Sequence, residues 1–138
     1  QRLSRGLGDV YKRQTLCKTL KSNYKIKTEN FLGHSDIAPL RKVDPGEKFP
    51  WKNLSKFKFG HWHRIEKNSS NHYKNKTVFF RNLFKIGYRY FKINKRSSVD
   101  RKVIRAFQQR YYPQKVTGNL DQKTYKISHF LANINKSS

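Results

Sequence analysis

The sequence predicts a chain in two parts: a helix and a short strand, followed by an all-α module of three helices. Three observations lead to this prediction. Apolar side chains recur at helical spacing over residues 15–25, and an apolar run follows at 30–34. A polar segment at 64–76 comes next. Beyond it, three amphipathic stripes succeed one another.

The first predicted helix covers residues 15–25. Its apolar face is formed by Leu16, Cys17, Leu20 and Tyr24. We interpret Cys17 as a small buried residue of that face. It is the single cysteine of the chain, which excludes an intrachain disulfide and a multi-cysteine metal site. The apolar run 30–34 is predicted to be the end of a strand.

Two irregular segments follow. Residues 35–51 contain three of the four prolines and a glycine, which predicts a long ordered loop. Residues 64–76 are polar and poor in apolar side chains, which is typical of a linker.

Three helices are predicted after the linker. The first covers 78–86, with Gly87 as its stop. The second begins at Ser97 or Ser98, with Asp100 completing a capping-box-like start and Pro113 beyond its end. The third is capped by Asp121. Their apolar faces are Phe80, Leu83 and Phe84; Val103, Ile104, Phe107 and Tyr111; and Ile127, Phe130, Leu131 and Ile134. Such stripes can be buried only against one another, which predicts a three-helix module.

The composition is strongly basic, with 32 Lys and Arg against 8 Asp and Glu and a net charge of +24. Such an excess is typical of partners that carry negative charge. The cations are dispersed and no nucleic-acid-binding motif is present, so a nucleic-acid partner is not expected. The carboxylates of peptidoglycan are an alternative anionic partner. No run approaches the roughly 18 apolar residues of a membrane helix.

Residues 1–14 have an unusual origin in our interpretation. The stretch Ser4–Gln14, SRGLGDVYKRQ, resembles a transposase-based sequencing adapter translated in one frame. We therefore expect residues 1–14 to be an artefactual leader and exclude them from the fold prediction. On this hypothesis the natural sequence that preceded Thr15 is missing.

The stretch 33–51 contains the residues with the clearest chemistry. It reads GHSDIAPLRKVDPGEKFPW, so that His34 and Asp44 are ten residues apart and Lys42 precedes the aspartate by two. Imidazole and carboxylate are zinc ligands, and a lysine nearby can stabilise charge on a reacting oxygen. By its spacing alone, a loop histidine near an aspartate is more often an ordinary hydrogen-bonded pair than a metal site.

This stretch closely resembles the second half of the zinc-dependent type-2 N-acetylmuramoyl-L-alanine amidases, whose pattern there is approximately GHSDIAPGRKxDPGxxFPW. The clear departure is Leu40, where the family usually has glycine, which places the local loop geometry in question. The resemblance implies that residues 15–63 are the C-terminal portion of an α/β amidase domain.

The resemblance also implies roles for individual residues. His34 would be the second ligand of Zn²⁺ and Asp44 the third, while Lys42 would stabilise the oxyanion formed during amide hydrolysis. The family's first zinc-binding histidine and catalytic glutamate lie upstream of this motif, so we expect the chain by itself to be inactive. His61 and His63 occupy positions without ligand duty in the family. No substrate-binding residue can be assigned.

A second resemblance lies in the tail. Residues 106–113, AFQQRYYP, followed by TGNLDQKT at 117–124, are similar to the peptidoglycan-binding domain that often accompanies such amidases. This implies a three-helix peptidoglycan-binding domain over 77–138, after a linker at 64–76.

Together these resemblances imply a hydrolase that cleaves the amide between N-acetylmuramic acid and L-alanine with the help of Zn²⁺. The alternatives are a non-catalytic peptidoglycan-binding protein and a basic nucleic-acid-binding protein. We expect a monomer with peptidoglycan as partner, in the periplasm or cell envelope of a bacterium. The choice between intact wall and anhydro-muropeptide as substrate stays open.

Overall fold

A computed structural model describes the backbone of residues 2–65 and 75–134, and the side chains of these ranges from Gly8 onward. The helices are α1 (Arg2–Tyr24), α2 (His34–Ile37), α3 (Trp51–Ser55), α4 (Lys76–Ile86), α5 (Asp100–Tyr111) and α6 (Gln122–Ala132), with a 3₁₀ turn at Thr28–Asn30. The chain divides into two compact units. The first contains residues up to 32 and 50–62, and the second contains 33–49 and the described residues from His63 onward.

The expectation of an α/β fold is wrong, because helices but no strands are present in the described parts of the chain. The predicted strand at 30–34 is instead the end of a 3₁₀ turn and two extended residues, Phe31 and Gly33. An extended segment becomes a strand only when another segment completes its hydrogen-bond ladder. Among the described residues, none does so here.

The first unit is built around α1 and α3. The predicted helix at 15–25 is confirmed, and α1 ends at Tyr24. The predicted burial of its apolar face is wrong, because Leu16 is 59% exposed and Tyr24 is 73% exposed, while Cys17 is partly buried. Helix α1 also continues through residues 2–14 without a break. The artefactual origin of that leader stays a prediction.

Aromatic residues form the small core of the first unit. Trp51, Leu54 and Phe59 are buried, and the rings of Phe31 and Phe59 lie 5.3 Å apart. The Lys21 ammonium donates a hydrogen bond to the Lys58 carbonyl oxygen over 2.8 Å. It also lies 5.8 Å from the centroids of both rings, within the range of a cation–π interaction.

The second unit contains the three predicted helices. Helix α4 begins at its cap Asn75, whose side chain accepts a hydrogen bond from the Val78 N–H. It ends at Gly87, which has a φ of 127°, a backbone conformation that side-chain-bearing residues rarely adopt. Of the linker predicted at 64–76, residues 66–74 lie outside the described residues, and residue 76 belongs to α4.

The predicted apolar face of α4 is partly wrong. Phe80 and Leu83 are fully buried, but Phe84 is 45% exposed. The Arg89 guanidinium carbon lies 3.8 Å above the Phe84 ring. Phe79, which the sequence analysis left out, is fully buried in its place. Each buried phenylalanine contributes about 1.5–3 kcal/mol through its removal from water.

Helix α6 begins beside its predicted cap Asp121, whereas α5 begins at Asp100 and not at the predicted Ser97 or Ser98. Asp100 accepts a hydrogen bond from the Ser97 N–H over 3.0 Å, and Asp121 accepts one from the Thr124 N–H over 2.8 Å. The predicted buried face of α5 is confirmed in full, whereas that of α6 is confirmed only in part. The buried residues of these faces are Val103, Ile104, Phe107, Tyr111, Ile127 and Leu131.

Gln108 connects α5 to the turn before α6. Its side-chain carbonyl oxygen accepts hydrogen bonds from the N–H groups of Thr117 and Gly118, over 2.9 and 2.8 Å. Its amide nitrogen donates to the Asn119 carbonyl oxygen over 2.9 Å and to the Thr124 hydroxyl over 3.1 Å. Gln108 is fully buried. Its side chain satisfies the hydrogen-bonding groups of the turn backbone at 117–119. None of the described helices is long and apolar enough to cross a membrane.

Candidate metal centre

Residues 33–49 fold back so that the backbone of α2 is hydrogen-bonded to the backbone at Asp44. The Ser35 N–H donates to the Asp44 carbonyl oxygen over 3.0 Å. Asp36, in the first turn of α2, accepts a hydrogen bond from the Gly33 N–H over 2.8 Å. Because His34 lies between these two bonded positions, its backbone is held directly beside that of Asp44.

The side chains of His34 and Asp44 also meet. His34 Nδ1 lies 2.5 Å from Asp44 Oδ2. Since an ionised carboxylate oxygen can only accept, Nδ1 is the donor in this contact. The two side chains are 73% and 55% exposed, so ions and substrates can reach them from solvent.

Asp44 is held in its charged form by this environment. The hydrogen bond from His34 is the largest influence that lowers the pKa of Asp44 below its usual range, and the charges of His34 and Lys42 act in the same direction. An ionised carboxylate is the form that a metal ion takes as ligand.

The pair fits two positions of a zinc centre. An imidazole nitrogen and a carboxylate oxygen are donors that Zn²⁺ accepts, and here they converge on one exposed point. A catalytic zinc takes three protein ligands. Within residues 2–65 and 75–134, no group of three or more His, Cys, Asp or Glu side chains could hold a metal ion. Two of the three ligand positions can therefore be filled from the described residues.

His61 and His63 make other contacts. His63 Nε2 donates to the Tyr111 carbonyl oxygen over 2.7 Å, and its Nδ1 accepts a hydrogen bond from the Ile65 N–H. In the first unit, His61 Nε2 lies 3.9 Å from a carboxylate oxygen of Glu29. These contacts agree with the expectation that neither histidine is a metal ligand, which stays a prediction.

Two positions of the loop show how its backbone is constrained. Leu40, which stands where the similar family usually has glycine, is not among the residues with a positive φ. A side chain is therefore accommodated there without backbone strain. At Gly33, in contrast, a Cβ would lie 2.5 Å from Pro45 Cδ, too close for any side chain. Gly33 thus permits the close approach that places Asp44 beside His34.

Three buried residues that support this loop, Asp36, Tyr88 and Arg110, were not predicted as part of the site. Asp36 is buried, and it accepts a hydrogen bond from the Tyr88 hydroxyl over 2.6 Å. Its other oxygen lies 3.3 Å from the Arg110 guanidinium. Tyr88 and Arg110 are 52 and 74 residues away along the chain. No local sequence signal could have identified partners so distant.

Burial around this cluster affects its tyrosines. Desolvation raises the pKa of Tyr88 well above its usual value, and the negative charge of Asp36 raises it further. Burial also raises the pKa of Tyr111, while the charge of Arg110 opposes that shift. Both phenols are therefore neutral at physiological pH, and Tyr88 acts as a hydrogen-bond donor.

Comparison with known proteins identifies relatives of the chain. N-acetylmuramoyl-L-alanine amidase AmiD of Escherichia coli (strain K12) is 34% identical over 122 residues, which are 84% of this chain and 44% of that protein. The 1,6-anhydro-N-acetylmuramyl-L-alanine amidase AmpD of Enterobacter cloacae is 49% identical over 37 residues, 27% of this chain and 20% of that protein. No family model matches the chain.

Solved structures give the same result. A complex of Escherichia coli AmiD with anhydro-N-acetylmuramic acid-L-Ala-D-gamma-Glu-L-Lys has a TM-score of 0.77 at 30% identity, over 88% of this chain and 50% of that one. AmpDh3 from Pseudomonas aeruginosa has a TM-score of 0.74 at 25% identity, over 88% and 51%. The chain is homologous to amidases of the AmiD and AmpD type, and it spans about half of their length or less.

Proposed function

We propose that the protein is a hydrolase of the amide bond between N-acetylmuramic acid and L-alanine in peptidoglycan. The observation that carries this proposal is the convergence of His34 and Asp44 on one exposed point, in a chain homologous to amidases named for that bond. Spacing alone left this motif ambiguous, and the contact between the His34 and Asp44 side chains supports the proposal.

His34 and Asp44 would hold Zn²⁺, and Lys42 would act on the substrate. When bound, the zinc ion would supply an activated water and polarise the scissile carbonyl. The charge of Lys42 lowers the pKa of Asp44, and Lys42 would stabilise the negative charge that develops on the carbonyl oxygen. The third ligand and the general base are assigned by resemblance to residues upstream of this motif.

The helical part of the chain would bind the wall. We propose residues 77–138 as a peptidoglycan-binding domain and 15–63 as the amidase part. The large positive charge of the chain suits the free carboxylates of stem peptides. A bacterial periplasm or cell envelope is the corresponding location, and a monomer is the corresponding state.

A chimaera can test the catalytic proposal. Residues 15–138 would be joined to the N-terminal half of a homologous amidase, which supplies the remaining ligand and base, and stem-peptide release from sacculi would be followed with Zn²⁺ present. We expect turnover that His34→Ala and Asp44→Ala abolish together with bound zinc. A folded, zinc-loaded chimaera that releases no stem peptide would contradict the proposal.

The chain of 138 residues provides the second half of the test. We expect it to bind sacculi without releasing stem peptides, since only two ligands can be assigned within its described residues. A non-catalytic wall-binding protein is the second candidate function, favoured by the same shortage of ligands in the described residues. An inactive chimaera that still binds sacculi would select this second candidate.

A further inference from the structure

Asp36 lies at the centre of a buried polar cluster in the second unit. Its carboxylate accepts three interactions: the Gly33 N–H at 2.8 Å, the Tyr88 hydroxyl at 2.6 Å and the Arg110 guanidinium at 3.3 Å. The side chains of Asp36 and Arg110 are only 5% and 2% exposed. A buried carboxylate needs such partners, because without them its desolvation is not compensated.

The partners belong to the helical module and are themselves fixed. Tyr88 follows Gly87 at the end of α4, and its N–H donates to the Leu83 carbonyl oxygen. Its ring packs edge-on against Phe107 at 5.8 Å. Arg110 lies in the last turn of α5, and its guanidinium carbon is 5.3 Å from the centroid of the Tyr111 ring. Both groups are therefore positioned by the core of the three helices.

On the other side, Asp36 controls the loop that contains the candidate ligands. It binds the Gly33 N–H, immediately before His34, and belongs to the same helical turn as His34. The Ser35 N–H, one residue earlier, is bonded to the Asp44 carbonyl oxygen. A displacement of Asp36 would therefore move both backbone segments that hold the His34–Asp44 pair.

We infer that Tyr88 and Arg110 are positioning residues, which hold the His34–Asp44 pair in place through Asp36 and make the helical module part of the candidate metal centre. Only the metal-binding role of the His34–Asp44 pair rests on the proposed function; the contact between the two side chains does not. It assigns the module a second role beside wall binding, since the same helices that would contact peptidoglycan also orient the ligand loop.

Metal sites depend on such support. Groups that orient the ligands typically change metal affinity by 10- to 100-fold when they are removed. Arginine suits the position because its charge does not titrate and its planar fork can share a carboxylate with a second donor. The tyrosine adds a hydrogen bond whose proton stays in place, since burial raises the pKa of Tyr88.

The test uses the whole chain and four variants. Tyr88→Phe removes one hydrogen bond and no charge, Arg110→Met removes the charge, and Arg110→Lys restores it without the fork. Asn82→Ala is the matched control, because it removes a buried hydrogen bond from Asn82 to Ser128 in the same module but away from the loop. Hydrogen exchange of the Ser35 amide and the NMR shifts of the His34 ring report the loop, and titration with Zn²⁺ reports the pair.

We expect Tyr88→Phe and Arg110→Met to lower the exchange protection of Ser35 by about tenfold or more. We also expect them to weaken Zn²⁺ binding at His34 by about tenfold or more. Arg110→Lys should recover part of both, and Asn82→Ala should change neither. Unchanged Ser35 protection in Tyr88→Phe and Arg110→Met, or an equal loss in Asn82→Ala, would overturn the inference. If Arg110→Met does not fold, Tyr88→Phe decides alone.

The two proposals can fail separately. If the chimaera, which supplies the third ligand, gives no zinc response at His34, the metal assignment under the proposed function is wrong. Ser35 exchange and the His34 ring shifts still test the positioning role in that case, because they report the His34–Asp44 contact in the absence of metal.

Discussion

The substitution Gln108→Ala should destabilise the helical unit more than any surface change. The side chain is fully buried, and its loss removes the partners of the Thr117 and Gly118 N–H groups and of the Asn119 carbonyl oxygen. Gly118 is buried, whereas Asn119 is exposed and can be hydrated. A buried unsatisfied group costs about 1–3 kcal/mol.

The expected total follows from these groups. One buried donor, one partly hydrated donor and the cavity left by the side chain together give a loss of about 3 kcal/mol in the free energy of unfolding. For a unit of this size such a loss lowers the melting temperature by roughly 12–24 °C. Gln114→Ala is the matched control, because Gln114 is exposed on the same segment and should change stability by less than about 0.5 kcal/mol.

Native-state hydrogen exchange of α5 and α6 amides measures this quantity for the second unit alone, and circular dichroism at 222 nm gives the melting temperature. A loss below about 1 kcal/mol for Gln108→Ala would refute the reasoning, because it would mean that the turn finds other partners for its backbone groups. An equal loss in Gln114→Ala would refute it as well.

Three further predictions follow from the site and its support. In the zinc-loaded chimaera, Lys42→Ala should lower kcat by roughly 100-fold without loss of zinc. Unchanged turnover would show that Lys42 does not stabilise the oxyanion. Because Tyr88 and Tyr111 have raised pKa values in the folded state, their contribution to stability is complete below the ordinary tyrosine pKa of about 10 and is lost as the pH rises toward the folded values. Urea midpoints between about pH 8 and 12 should therefore fall with pH, and fall less in Tyr88→Phe. Gly33→Ala should displace Pro45 and reduce Ser35 protection, since its Cβ would lie 2.5 Å from the proline ring; crystal coordinates of the variant that superpose on the parent would contradict this.

Local signals in the sequence were sufficient to predict the three helices α4, α5 and α6. Asp121 and Gly87 were identified as a helix cap and a helix stop because the interactions they make are with their own neighbours along the chain. The buried face of α5 was also correct in full, since a stripe at 3.6-residue spacing can be buried on only one side.

The errors have a common physical cause. Phe84 was expected in the core and Phe79 was not, yet Phe79 is buried and Phe84 is exposed. Both lie within one turn of the buried residues Phe80 and Leu83. Which of the two is buried depends on where the neighbouring helices pack against α4. The strand expected at 30–34 required a partner segment, and none is present in the described residues. Burial of Leu16 and Tyr24 likewise required a surface to cover them.

For the candidate site, the sequence by itself determined the chemistry, and the tertiary structure decided the geometry. The side chains at 34, 42 and 44 are of types that can bind zinc or stabilise an oxyanion, because these properties belong to the side chains themselves. The contact between His34 and Asp44 depends, by our inference, on Asp36, whose partners Tyr88 and Arg110 lie 52 and 74 residues further on. Contacts over such separations leave no periodicity in the sequence, since they arise only when the helices pack and bury the charges together.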